Sequence, residues 1–395
     1  MNATMRGACV PAICLAAVFM GACSRSEPKA PNSWDQKAAA AYLDQRAGWW
    51  MEWSAAARDH GTFCVSCHTA VPYALSRPAL RKALAEESPS ISEQRLLGNV
   101  RKRVRLWKDV GPFYNDQGDG AYKTAQSRGT EAVLNALILA SSDTQNGQLS
   151  DDTRSAFDNM WALQQTTGDE KGAWSWLNFD LDPWEGKDSQ YYGATLAAIG
   201  VGTAPGNYHS TPEIQNNLRL LNEYLDREYA TQPLVNRVVL LWASTKLPGL
   251  IGSERRESII DEVLSKQQAD GGWSLSSLAR TWRGWNVRSL ARMWLRGDGT
   301  PYEVKSDGYA TGLITFTLQQ AGIPRDNVQV KQGVSWLLRH QNHAEGFWPG
   351  YSINKRRSPA SNIGRFMSDA ATAYAVLALA EAGSTEHTAA LPFKR

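Results

Sequence analysis

Apolar positions along this chain fall mostly at helical spacing. Between Trp34 and Ala57, the residues Ala38, Ala41, Tyr42, Ala47, Trp50, Met51 and Trp53 recur at near-helical intervals. Gly61 breaks that run, and Pro72 and Pro78 bracket a stretch read as short and rich in turns. A second helix is expected over Ser90–Trp107, started by Ser90 with Glu93 or by Ser92. Gly111–Gly120 reads as a loop. From Gly129 onward two helix types alternate. One is amphipathic and ends in Gln, followed by a turn with Gly and Trp. It occurs as Trp161–Gln165 leading to Gly172 and Trp174, as Gln267–Gln268 leading to Gly271 and Trp273, and as Trp336–Gln341 leading to Gly346 and Trp348. The other is made of small residues and ends in Gly: Tyr191–Gly200, Asp307–Gly322 and Asp369–Gly383. Thr130–Ala140 and Val235–Ser244 are degenerate copies. Helices without bulk can crowd into an inner ring, and the longer amphipathic ones surround them. The predicted class is therefore all-α.

The Q-x(2–5)-G-x-W pieces resemble the QW repeats of the squalene–hopene cyclase and terpenoid cyclase superfamily, over Gly129–Gly383. The resemblance implies an α/α toroid of paired inner and outer helices. It also implies that Gln164 or Gln165, Gln268 and Gln341 cap neighbouring helices, with Trp174, Trp273 and Trp348 stacked over them. The acid of those cyclases does not carry over, because Asp180-Leu-Asp182-Pro183 lacks the third Asp and the Thr of D-x-D-D-T. Asp182, Asp307 and Asp369 are the remaining candidate acids. The commonplace role of an Asp at a helix start, such as Asp188, Asp307 or Asp369, is N-capping. The prenyltransferase zinc site is missing, since the toroid has no Cys.

The N-terminus changes the picture of where the chain works. Arg6 precedes an apolar run from Val10 to Met20, too short for a stable span, which ends in Met20-Gly21-Ala22-Cys23. This resembles a lipobox and implies cleavage before Cys23 and acylation of its thiol. The predicted organisation is a lipoprotein signal peptide over 1–22 and a disordered tether over 23–33. A small helical haem segment over 34–128 and a toroid over 129–395 follow. The expected location is the periplasmic side of a bacterial membrane, held by lipidated Cys23. The net charge of +3, from 42 basic and 39 acidic residues, gives no reason to expect a nucleic-acid partner.

Cysteine usage points to the chemistry. Of five cysteines, Cys9 and Cys14 leave with the signal and Cys23 is capped, so Cys64 and Cys67 remain. Cys64-Val65-Ser66-Cys67-His68 is the C-x-x-C-H attachment signature of covalent haem c. Two thiols add across two vinyl groups of one porphyrin, and the next residue ligates the iron. A reversible disulfide and a zinc site completed by His60 and His209 are the alternatives. Met51 is the upstream candidate for the sixth iron ligand. Met160, Met293, Met367, His209, His340 and His343 are toroid candidates, and an open iron position is the other possibility. The run Arg101, Lys102, Arg103, Arg105 and Lys108 reads as a solvated face, with haem propionates as its alternative ligand. Between Arg280 and Arg296, Trp282, Trp285 and Trp294 lack one helical stripe and read as packing on the toroid rather than on lipid. The expected partners are a hydrophobic, isoprenoid-like small molecule, the membrane and a redox partner protein. Two other functions stand beside a haem redox protein: a non-redox cyclase-like enzyme using an Asp as acid, and a carrier lipoprotein.

Overall fold

The computed structural model describes residues 33–279 and 295–383. The signal segment, Cys23, most of the tether, and Trp282, Trp285 and Trp294 lie outside the described residues. The elements are α1 (Gln36–Glu52), a two-stranded hairpin β1 (Ala57–Arg58) and β2 (Thr62–Phe63), α2 (Ala70–Ala83), α3 (Ile91–Arg105) and α4 (Lys123–Thr144). They continue with α5 (Asp151–Ala162), α6 (Ser189–Thr203), α7 (Gln215–Glu228), α8 (Leu234–Lys246), α9 (Ser253–Ser265) and the short α10 (Leu275–Ala279). The last three are α11 (Gly308–Gln320), α12 (Val328–His340) and α13 (Phe366–Gly383).

These helices form an α/α toroid. The inner layer runs α2–α4–α6–α8–α11–α13 and closes where α13 meets α2. The outer layer packs around it: α1 on α2 and α13, α5 on α4, α7 on α6, α9 on α8, and α12 on α11 and α13. Residue size explains the sorting. Helices α6 and α13 are buried on almost every face, and their Ala, Gly and Thr residues let backbones approach closely. A Cβ on Gly312 would stand 2.6 Å from Ala375 N, so α11 and α13 touch main chain to main chain there. Outer helix α7 instead buries one stripe, Leu218, Leu221, Tyr224 and Leu225, with Leu220 beside it.

The Gln–Trp turns do join the ring. Gln164 Nε2 donates to Gly172 O and to Asn217 O, at the start of α7. Gln267 Nε2 donates to Gly271 O and to Gln329 O, at the start of α12. Gln341 Nε2 donates to Asp35 O while its Oε1 accepts from Asp35 N, at the start of α1. Gln267 therefore takes the place expected for Gln268, which bonds Val304 O and Ser306 instead. The indoles of Trp174, Trp273 and Trp348 are fully buried. Each N–H donates to a carbonyl of the preceding outer helix: Met160 O, Val263 O and Leu337 O.

Two expectations are corrected by the packing. The stretch around Pro72 and Pro78 is helix α2, not a run of turns. Pro72 lies in the first turn, where its N–H would be unpaired anyway, and Pro78 sits inside the helix. Burial of Val71, Tyr73 and Leu80 outweighs the lost bond. Residues 34–128 are also not a segment apart from a toroid at 129–395. Helix α2 fills the inner layer between α13 and α4, and Gln341 ties the last outer helix to α1. The Ser90–Glu93 capping box that starts α3 is present as read.

Candidate functional site at the toroid mouth

The Cys64–His68 stretch links the β1–β2 hairpin to α2. His60 and Gly61 carry positive φ at the hairpin tip, where glycine is favoured. Asn99 from α3 clamps Phe63 by accepting from its N–H and donating to its carbonyl. Trp50 Nε1 donates to Cys64 O at 2.7 Å. Ser66 Oγ accepts the N–H groups of Thr69 and Ala70, satisfying donors at the start of α2. The motif is thus held by α1, α3 and α2 together.

Both thiols are free and buried. Burial pushes Cys64 up to about 12 and Cys67 well above its ordinary value. Both are protonated at neutral pH. A disulfide-exchange pair needs a lowered thiol pKa, so this environment does not suit that alternative. The carboxyl of Glu185 stands near both thiols, and burial raises it to about 7 against the opposing charge of Lys123.

The hydrogen bonds around His68 decide its tautomer. Its Nδ1 lies 2.9 Å from Thr69 Oγ1. That hydroxyl spends its one proton on Asp369 Oδ2, at 2.7 Å. It must therefore accept from His68 Nδ1–H, which leaves a lone pair on Nε2. Burial, helped by the charges of Arg46 and Arg357, lowers the imidazole to about 3, so the ring is neutral. Phe366 stacks on its face at 3.7 Å, Trp50 meets its edge at 4.9 Å, and Trp184 stands 6.0 Å away. Below the motif, Tyr309 meets Trp184 and Tyr374 edge-on at 5.6 and 5.4 Å. These tyrosines and Tyr192 lie close enough to Cys67 for the two kinds of group to influence each other's titration, which places that thiol against the inner layer.

The candidate acids occupy separate places. Asp307 caps α11, accepting from Ala310 N and Leu275 N, and burial raises it to about 7. Asp369 lies inside α13 and accepts from Arg46, Thr69 and Tyr42. Burial raises it, opposed by those same partners. Asp182 is in a loop whose backbone pairs with Asn354 on both sides. Asp188 precedes α6 without a side-chain cap bond.

The remaining candidates divide similarly. His60 is exposed beside Asp59, and His209 lies in a turn before α7. Among the described residues no three His, Cys, Asp or Glu side chains converge on a metal-sized site. Met51 is buried in α1, and it is the neighbouring Trp50 that touches His68. The basic run is not one solvated face. Arg103 is fully buried against Glu131, Arg105 pairs with Asp152, and Lys102 donates to His60 O. The reading missed Thr69, Arg46, Phe366 and Glu185. Only Thr69, next to His68, carried a local signal; Glu185 and Phe366 come from distant parts of the chain, and Arg46 matters through its bond to Asp369, 323 positions away.

No family model matches this chain, and no curated protein does. Among solved structures it is similar to a glycosidase variant, with TM-score 0.48 and 12% identity over 87% of this chain and 97% of that one. The wild-type glycosidase gives 0.46 and 13%, over 86% and 96%. A variant in complex with glucose gives 0.46 and 13%, over 87% and 97%. At these values the likeness carries no argument about chemistry.

The motif's implied haem meets a compatible donor set here. Two free thiols precede a neutral imidazole whose Nδ1 is anchored and whose Nε2 is unprotonated, as an iron ligand requires. The Phe366 contact covers a ring face, not the Nε2 lone pair, which lies in the ring plane.

Proposed function

We propose that this protein is an exported, lipid-anchored, mono-haem c-type cytochrome-like protein whose toroid binds or oxidises a hydrophobic, isoprenoid-like molecule. Cys64 and Cys67 would hold the porphyrin, and His68 Nε2 would ligate the iron. The bound group supplies one-electron chemistry. The observation that carries the reading is the Asp369–Thr69–His68 chain, which fixes one tautomer in a ring lying beside two unpaired thiols. The inner layer against Cys67 is aromatic and buried, which favours an apolar molecule over a polar one as its ligand. A cyclase-type acid has less support, because Asp307 and Asp369 both spend their oxygens on hydrogen bonds.

The test is expression in cells that mature c-type cytochromes. The purified chain should be pink and keep haem stain on a denaturing gel, and Cys64→Ser with Cys67→Ser should abolish the stain while the protein still folds. A correctly exported, colourless parent would overturn it. Met51 is the upstream candidate for the sixth iron position. Rapid carbon monoxide binding, unchanged in Met51→Ala, is the result expected for an open position. Intact mass should show lipid on Cys23.

A further inference from the structure

An open cavity of about 510 Å³ is walled by Trp49, Trp53, Arg356, Arg357, Ser361 and Asn362. Its two walls come from distant parts of the chain. Trp49 and Trp53 lie one turn apart at the end of α1 and stack at 5.1 Å, both half-buried. The opposite wall is the loop before α13. Arg46 fastens that loop to α1: its guanidinium lies over Trp49 at 4.6 Å and donates to Oδ1 and O of Asn362, both at 2.8 Å. The same Arg46 is held by buried Asp369 at 2.7 Å. Asp298 fixes the loop's other end by accepting from Arg356 N at 2.6 Å. This is an open cleft between two pinned walls.

Its charge is unspent. Arg356 and Arg357 are adjacent and exposed, and among the described residues neither guanidinium has an ion pair or a side-chain hydrogen bond. Most other arginines at helix ends and turns here are paired: Arg105 with Asp152, Arg365 with Glu345, and Arg237 with Glu262. Two adjacent like charges repel each other, and an anion between them relieves that cost. A guanidinium is the side chain best matched to the paired oxygens of a carboxylate or phosphate. The indoles facing it offer apolar surface to whatever carries the head.

We propose that this pocket binds a molecule with a carboxylate or phosphate head and an apolar body. The head sits on Arg356 and Arg357 and the body lies on Trp49 and Trp53. The pocket adjoins the motif through Phe366, which stands 6.1 Å from Trp49 and 3.7 Å from His68. The same head chemistry could come from the propionates of an attached haem or from a free amphiphile. The site itself stands on the pocket and its charges and not on the haem reading.

The test is calorimetric titration of the full chain, made without haem maturation, with dodecyl phosphate as probe. Dodecanol at matched concentration reports the apolar part alone. Dodecyl phosphate should bind at least tenfold more tightly than dodecanol. The Arg356→Ala/Arg357→Ala double variant should lose that preference while keeping its melting temperature, and Arg356→Lys/Arg357→Lys should keep part of it. Equal binding of the two probes, or an unchanged preference in the alanine variant, would overturn the proposal. The same titration on haem-matured protein separates the two sources. Loss of probe binding there assigns the site to haem propionates, and retained binding assigns it to a free amphiphile. A colourless protein that binds the probe would sink the haem reading and leave the pocket standing.

Discussion

Asp369 joins three elements at one carboxylate. It takes the buried guanidinium of Arg46 from α1, the phenol of Tyr42 from α1 and the hydroxyl of Thr69 beside His68. Removing one partner of such a pair leaves a charge uncompensated in the interior. Arg46→Leu should cost about 3–5 kcal/mol in denaturant unfolding at pH 8. Without its cation, Asp369 is raised further in the folded state than in the unfolded chain, so folding then takes up a proton. The deficit should shrink as the pH falls toward 5. Glu185 follows the same sign. Burial lifts it to about 7, above its unfolded value, so its burden on stability is absent at pH 4 and complete above pH 7. Glu185→Gln should therefore melt with the parent at pH 4 and above it at pH 8, by on the order of 1–3 kcal/mol. Equal melting at both values would show that the carboxyl is solvated.

At the scale of elements, the Gln–Trp turn is a coupling between one outer helix and the next. Trp348 is buried under α12, and its N–H meets Leu337 O at 2.7 Å. Gln341 then reaches the start of α1. Trp273→Ala and Trp348→Ala should each lose about 3–5 kcal/mol, because a large cavity opens and a carbonyl is orphaned. Chemical denaturation of the two variants against the parent measures this, and parent-like midpoints would refute it. The repeat itself was legible, since Gln, Gly and Trp at fixed offsets are a local pattern. Which glutamine of the Gln267–Gln268 pair faces Gln329 was not, because it depends on the angle at which α9 ends.

For the whole molecule the decisive contact is the closure of the inner layer by α2 between α13 and α4. A fragment covering 129–383 would expose the faces of α4 and α13 that α1 and α2 cover. It should unfold without a cooperative transition and bind hydrophobic dyes. A sharp two-state melt of that fragment would restore the boundary expected at position 128. Among the described residues no helix is long and apolar enough to cross a membrane.

Helix type was determined by the sequence alone, because small-residue and amphipathic periods report burial on all sides or on one. The C-x-x-C-H spacing, the capping box at Ser90 and the repeat of the Gln–Trp turn were legible for the same reason: each is a local pattern of residue types at fixed offsets. Only the tertiary structure decided the rest. Helix α2 hid behind two prolines, since its stability comes from neighbours and not from propensity. The tautomer of His68 depends on an aspartate 300 positions beyond Thr69. The burial of Arg103 and the unpaired state of Arg356 and Arg357 depend on which side chains the closed ring brings within reach, and charge pairing of that kind leaves no periodic trace along a chain.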